Sequence, residues 1–393
     1  MKPVEESAPW RIDPARSWPP GGAIRPPLSP TNLERLRLCW LQATFRASPG
    51  YPPRGVPSAA LGTAFHGTLQ HLPQLIAEEQ LVSAVDRRAR AVAYFRAAVQ
   101  RERARALSRP RERKLPWRDD VIQEMTIQIG IAAGNMSGNL APAEAISLSE
   151  LSAPEHLPTQ QPTAVRETTL TSRDGLVAGR PDHVELTAAG PIIIDYKTGK
   201  LDNPERIASY RRQCILYAWL WHETHGEWPI KFRLVHQISG VTHSEAIDPV
   251  EAQALGEAAR ALAAQLATPP SPAAQASTGP HCTLCAYRPW CEPFWESAAV
   301  PYHAPESGHR AARWTFAATL DAPADRRGND IFLAFILNDR ARVTIEASQA
   351  LFPHLSDLSS GARVRILDAV LIDEDERWLR LNAWSEAYIV ADK

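Results

Sequence analysis

At 393 residues the chain exceeds the usual size of one domain, and its 44% hydrophobic and 22% charged residues suit a sizeable buried core, which excludes a chain dominated by disorder. A net charge of −1 excludes a molecule that is basic over its whole surface, so any contact with a polyanion has to be local. No apolar run approaches the roughly 20 residues that span a bilayer, the start of the sequence lacks a charged-then-apolar leader, and the cysteines are odd in number; a cytoplasmic protein with no membrane partner and no disulfide framework is expected.

Residues 1–28 are rich in proline and glycine and read as a flexible leader. Ser29, Pro30 or Thr31 can cap one helix through NLERLRLCWLQATFR, with Cys39 on it, and a second helix is expected across SAALGTAFHGTLQHL. A long arginine-studded helix over SAVDRRARAVAYFRAAVQRERARAL and a helix from Asp119 make a helical insertion at about 80–135. Between 87 and 118, Glu102 and Glu112 are the carboxylates among many arginines, including Arg111 and Arg113, so this stretch is either a solvated helical face or a surface that touches phosphates.

The character then changes. LVAGRPDHVEL and PIIIDYK read as two strands of a hairpin joined by TAAG. A helix follows over Asn203–Gly226, then strands in IKFRLVHQI and VTHSEAI, a helix from Pro249 to about Leu266, and a linker by composition, TPPSPAAQASTGP. The cysteine cluster 282–291 comes next, and beyond 310 about five short strands predict a small all-β barrel of OB type. The expected fold is α/β (α+β): a principal domain over 29–300, a mixed central sheet flanked by helices, and the barrel over 310–393.

Phosphodiester hydrolysis needs carboxylates for a divalent cation, a positive group near the attacking water, and a rigid element that presents them together. Asp195 and Lys197, two apart on a strand, share one face, and Asp182 is expected on the partner strand. Asp195 ends a Pro-Ile-Ile-Ile run, where an ionised group is costly unless paired or bound to metal. By themselves these residues also fit a strand-end salt bridge.

In order along the chain, Gly179–Asp182, Asp195–Lys197 and Gln213 with Tyr217 resemble the G-x-x-D, D-x-K and Q-x-x-x-Y motifs of the RecB-type branch of PD-(D/E)XK nucleases, and Gly62–His66 is similar to the upstream histidine motif of that family. The resemblance covers approximately 29–297. It implies a restriction-endonuclease-like core and Mg²⁺ or Mn²⁺ held by His66, Asp182, Asp195 and the backbone carbonyl of Tyr196. Lys197 would orient or activate water, and Gln213 and Tyr217 would border the active site and contact substrate. Arg211, Arg212 and Lys200 are further candidates for contact with the nucleic-acid backbone. Glu144 and Glu167 are rival extra acidic residues.

Cys282, Cys285 and Cys291 form C-x₂-C-x₅-C, and Cys39 lies far upstream. Four thiolates suit either an iron–sulfur cluster or tetrahedral Zn²⁺. The arrangement resembles the iron–sulfur subgroup of these nucleases, including the AddB nuclease domain and the CRISPR-adaptation exonucleases, which implies a [4Fe–4S] cluster; Cys214 is left as a buried core residue. The barrel lies outside the resemblance: Trp314, Phe316, Phe332, Phe335, Trp378 and Trp384 are candidates for stacking on single-stranded nucleic acid, although most of them suit a core, and with the acidic Asp373–Glu376 tip docking of a protein such as a helicase or another repair or defence component is an equal alternative. The leading expectation is a deoxyribonuclease acting on single strands or ends in DNA repair, recombination or antiphage defence. A non-catalytic or partner-activated DNA-binding scaffold and an RNA-directed phosphodiesterase are the alternatives.

Overall fold

The computed structural model describes residues 10–13, 23–136, 163–166, 168–198, 204–236, 240–267, 275–297, 302–304, 313–337 and 340–391. Glu144, Glu167 and Lys200 lie outside the described residues. Ser29 caps helix α1 (Pro30–Leu38) by accepting from the Asn32 N–H, and Pro30 occupies the first turn, as the Ser-Pro pair predicts. The single helix expected over 32–46 is in fact two. At Cys39 the backbone becomes extended, with φ −163° and ψ 110°, and α2 (Trp40–Ala47) starts afresh. No proline or glycine forces this break.

Helices α3 (Pro57–Glu78), α4 (Ala84–Leu107) and α5 (Asp119–Asn135) form one layer around Phe65, Leu72, Phe95, Val99 and Ile129. Most of the basic side chains between 87 and 118 are held within the protein: Arg90 pairs with Glu79, Arg103 with Asp119, Arg105 with Glu102, Arg109 with Glu112 and Arg118 with Asp120. Arg87 is buried and donates to the Ala133 and Gly134 carbonyls at the end of α5. The surface is therefore less basic than the run of arginines implies.

Inside the stretch expected to be a flexible leader, β1 (Arg11–Ile12) pairs in parallel with the last strand of the chain, and Trp10 is buried. Leu28 is also fully buried and bridges Val177. The core sheet begins with β2 (Thr163–Arg166), while β3 (Leu170–Thr171) and β4 (Ala178–Gly179) form a separate ribbon. The strand expected through LVAGRPDHVEL is thus interrupted at Arg180–Asp182, where Pro181 has no N–H to give to a ladder, and resumes as β5 (His183–Thr187). Asp182 lies in the bend before β5 rather than on it.

β5 forms the expected hairpin with β6 (Gly190–Lys197), and β6 runs parallel to β7 (Lys231–His236), which pairs with β8 (Thr242–Ala246). The order β2-β5-β6-β7-β8 gives a mixed five-stranded sheet. The parallel step from β6 to β7 requires a crossover, and α6 (Pro204–His225) supplies it, burying Cys214–Trp221 over Ile193, Phe232 and Leu234. On its far side α7 (Pro249–Ala264) packs so closely that a Cβ on Gly256 would lie 2.2 Å from the Trp219 ring. The short α8 (Glu292–Ser297) follows the cysteine cluster.

The C-terminal sheet comprises β9 (Tyr302–Ala304), β10 (Arg313–Leu320), β11 (Asp325–Arg327), β12 (Asp330–Leu337), β13 (Arg342–Ser348), β14 (Arg363–Asp373), β15 (Trp378–Leu381) and β16 (Glu386–Val390). β10, β12, β13, β15 and β14 pair in that order and β14 closes on β10, giving a five-stranded barrel with one parallel pair, β13–β15. Numbered within the ring, the order is that of an OB-type barrel. Phe316 and Phe335 fill its core with Ile331, Ile345 and Ile366, and Trp314 is buried with them; Phe332, Trp378 and Trp384 are half-buried.

Candidate active site

The site forms where β6 emerges from the core. Ile192, Ile193 and Ile194 are buried, Asp195 is 2% exposed, and Lys197 follows on the same face. Asp182 reaches across from its bend and accepts the Tyr196 N–H at 2.8 Å, which ties the start of β5 to the end of β6. Lys197 Nζ stands 2.5 Å from Asp195 Oδ2 and donates to Gln213 Oε1 at 3.0 Å; Gln213 Nε2 in turn donates to the Tyr217 hydroxyl at 2.9 Å. Lys197 Nζ also lies 4.5 Å from the centre of the Tyr210 ring.

Two glycines permit this convergence. A Cβ on Gly179 would stand 2.8 Å from the Tyr217 ring and 3.0 Å from Leu220, so the first position of the G-x-x-D motif is the seat of α6. A Cβ on Gly62 would stand 2.9 Å from Thr198 Oγ1, which brings α3 against the end of β6 and places His66, one turn further along, within the field of Asp195 and Lys197.

Burial and charge pull the groups of this site in opposite directions. Burial pushes the Asp195 carboxyl up to about 6; Lys197 pulls it down, and the neighbouring Asp182 pushes it further up. Burial also raises Asp182, despite the N–H from Tyr196. Burial lowers His66, favouring the neutral imidazole, whereas Asp195 keeps the buried Lys197 protonated against burial's opposite pull. The buried Asp195 and the half-buried Asp182 therefore share this place with Lys197, Arg180 also acts on Asp182, and both carboxylates would be held ionised by a bound cation. Among the described residues, no set of three or more His, Cys, Asp or Glu stands ready to enclose a metal ion. Two carboxylates with open positions for water suit Mg²⁺, which dehydrates reluctantly and keeps much of its water shell.

The structure thus brings together His66, Asp182, Asp195, Tyr196, Lys197, Gln213 and Tyr217, and it engages the expected phosphate contacts elsewhere. Arg211 forks onto Glu245 and Glu251, and Arg212 pairs with Glu34 of α1. Arg111 is buried, with both its Nε and Nη2 on Glu386 of the barrel, whereas Arg113 is exposed. Sequence reasoning missed Tyr210, although its position three residues before Gln213 on α6 is the signal that would have placed it on the same face.

A family model for the PD-(D/E)XK nuclease superfamily matches residues 27–292. The chain belongs to this superfamily. No curated protein sequence matches it. Among solved structures, two crystal structures show similarity: the p204 HINb domain, with 17% identity, 21% of this chain and 42% of that one covered and a TM-score of 0.18, and the tetrameric p202 HIN2, with 16%, 22%, 45% and 0.17. The chain thus spans under half the length of each.

Members of the PD-(D/E)XK superfamily usually use Mg²⁺ or Mn²⁺, in keeping with the pair of carboxylates Asp182 and Asp195. Away from this site the PD-(D/E)XK chain brings four cysteines together. Cys39, Cys282, Cys285 and Cys291 line one cavity together with Gln42 and Phe45, and none of the four is in a disulfide. The break between α1 and α2 falls at Cys39, and Gln42 Nε2 lies 3.6 Å from Cys285 Sγ. Burial raises Cys282 and Cys285 and pushes Cys291 up to about 12, and the negative charge of the neighbouring thiolates adds to each. Thiols whose ionisation burial opposes, as at Cys282, Cys285 and Cys291, become thiolates more readily beside a cation. Cys214 is fully buried behind Asp195 and Lys197, as expected of a core residue.

Proposed function

We propose that this chain is a metal-dependent deoxyribonuclease of the RecB type that hydrolyses phosphodiester bonds in single-stranded DNA or at DNA ends, in a repair or antiphage setting. The observation that carries the reading is the continuous chain from Asp195 through Lys197 and Gln213 to Tyr217, with Asp182 alongside on the Tyr196 N–H. Asp182, Asp195 and the Tyr196 carbonyl, with His66 adjacent, would hold Mg²⁺ or Mn²⁺, which when bound neutralises charge on the phosphate and lowers the pKa of bound water. Lys197, kept charged by Asp195 and oriented by Gln213, presents its ammonium to the attacking water and the phosphate oxygen. The neutral His66 offers one nitrogen lone pair rather than a competing charge. Tyr217 fixes the Gln213 amide so that its oxygen faces Lys197.

The four cysteines are proposed to hold a [4Fe–4S] cluster rather than Zn²⁺. A single zinc needs four donors gathered at about 2.3 Å around one centre. A cluster binds its thiolates on separate irons, and the four cysteines lining one cavity follow the order, one early and three late, of the iron–sulfur subgroup that the sequence resembles. The test is cleavage of labelled single- and double-stranded DNA and of RNA by anaerobically purified protein with Mn²⁺ or Mg²⁺. Loss of DNA cleavage in Asp195→Ala and Lys197→Ala is expected; preference for RNA, or no cleavage of any substrate, would contradict the proposal.

A further inference from the structure

The stretch between the second and third cysteines of C-x₂-C-x₅-C is held by side chains of its own and of other segments. Side-chain donors grip its carbonyls: Arg288 Nε on Cys285 O at 3.3 Å, Arg111 Nη2 on Ala286 O at 2.7 Å, Trp295 Nε1 on Arg288 O at 2.8 Å, and Arg365 Nη1 on Pro289 O at 2.8 Å. Arg365 belongs to barrel strand β14. The Arg111 guanidinium is itself oriented by Glu386 on barrel strand β16, at 2.9 and 3.2 Å.

Arg288 stands midway between Cys285 and Cys291, and its two terminal nitrogens donate to Asp368 of β14 at 3.0 and 2.7 Å, with both residues buried. Asp368 adopts φ +59°, a conformation that non-glycine residues take only where their surroundings hold them. Here Thr315 Oγ1 accepts its N–H at 3.1 Å and Ser385 Oγ donates to its carbonyl at 2.8 Å. The apolar side of the same junction joins Cys282, Tyr287, Trp290 and Phe294 to Leu367 and Tyr388 of the barrel. Meanwhile four exposed arginines of the barrel, Arg326, Arg327, Arg342 and Arg380, pair with carboxylates of the barrel itself.

We propose that the C-terminal barrel is the outer support of the cysteine metal centre: Asp368, Glu386 and Arg365 hold the C-x₅-C segment in its ligating conformation, so that metal occupancy and barrel docking form one cooperative unit. This rests on the reading that the four cysteines hold a metal. Asp368 and Glu386 are positioning residues, acting through Arg288 and Arg111, and touch neither the metal nor the substrate. Their carboxylates neutralise two buried guanidiniums whose remaining N–H groups fix the cysteine loop.

The test uses the full chain purified anaerobically, with iron and zinc content measured and metal loss to excess chelator followed in time for the wild type, Asp368→Asn, Glu386→Gln and Arg380→Ala, the last altering an exposed pair remote from the loop. Metal loss about tenfold faster in the first two variants, with Arg380→Ala matching the wild type, is expected. A wild type devoid of iron and zinc removes the metal reading and the support role with it. Metal held equally well by all variants leaves the metal reading standing and overturns the support role. If the substitutions prevent folding, hydrogen exchange on the wild type before and after chelation reads the same coupling. Amides of 363–368 and 386–390 should exchange faster once the metal is removed; unchanged protection overturns the proposal.

Discussion

Asp195 ends a run of buried isoleucines, and its charge is sustained there by Lys197 at 2.5 Å. Lys197→Ala removes both that compensation and the ammonium proposed to meet the phosphate, so cleavage should fall by at least about a hundredfold while circular dichroism stays that of the wild type. Gln213→Ala leaves the ammonium in place but frees it to wander; a smaller loss is expected, with rescue by Gln213→Glu absent, because a carboxylate there would draw the ammonium away from substrate. The shared faces of Asp195 with Lys197 and of Gln213 with Tyr217 were legible from strand and helix periodicity, whereas Asp182 was singled out by the resemblance and lies in a bend that no alternation predicts. The partners of Arg211, Arg212 and Arg111 were not legible, because Glu245, Glu34 and Glu386 meet them only through the tertiary fold. An arginine count reports charge, not what neutralises it.

Among the elements, α6 depends on a glycine in another segment. Gly179→Ala would drive a methyl into Tyr217 at 2.8 Å, and because Tyr217 orients Gln213 the substitution should lower both stability, by about 1–3 kcal/mol in a denaturant titration, and the turnover rate. Unchanged turnover would show that the spacing between α6 and β4 is not what sets the site. The helices and the β5–β6 hairpin were readable from apolar periodicity and capping residues. The break at Cys39 was not, since Leu38-Cys39-Trp40 carries no helix breaker and the late cysteines beside which Cys39 lies are more than 240 positions away. The interruption at Pro181 was readable in principle, because a proline in the middle of an alternating run argues against one continuous strand.

At the scale of the whole molecule, the barrel and the nuclease core meet through a buried ionic junction. Burial alone would raise Glu386, yet Arg111 and Arg54 hold it down to about 2. A carboxylate depressed in this way contributes its stability above its unfolded value near 4.5 and loses it as pH falls from there towards 2, on the order of 3 kcal/mol in all. Burial holds His354 down to about 4, so the unfolded chain takes up its proton first and stability already declines as pH drops from about 6.5 to 4. Thermal unfolding followed against pH should show both steps, and Glu386→Gln should remove the lower one. Arg111→Ala, which leaves Glu386 buried without this partner, should cost about 3–5 kcal/mol. The sequence announced a barrel of about five strands; it could not announce that β14 and β16 face the cysteine loop, because that contact joins residues some 80 positions apart and more. The measurement that bears most directly on the central claim is Mn²⁺-dependent cleavage of labelled single-stranded DNA by wild type, Asp195→Ala and Lys197→Ala protein. Cleavage by the wild type alone is the predicted result; cleavage that persists in both variants would place the chemistry elsewhere and contradict the account.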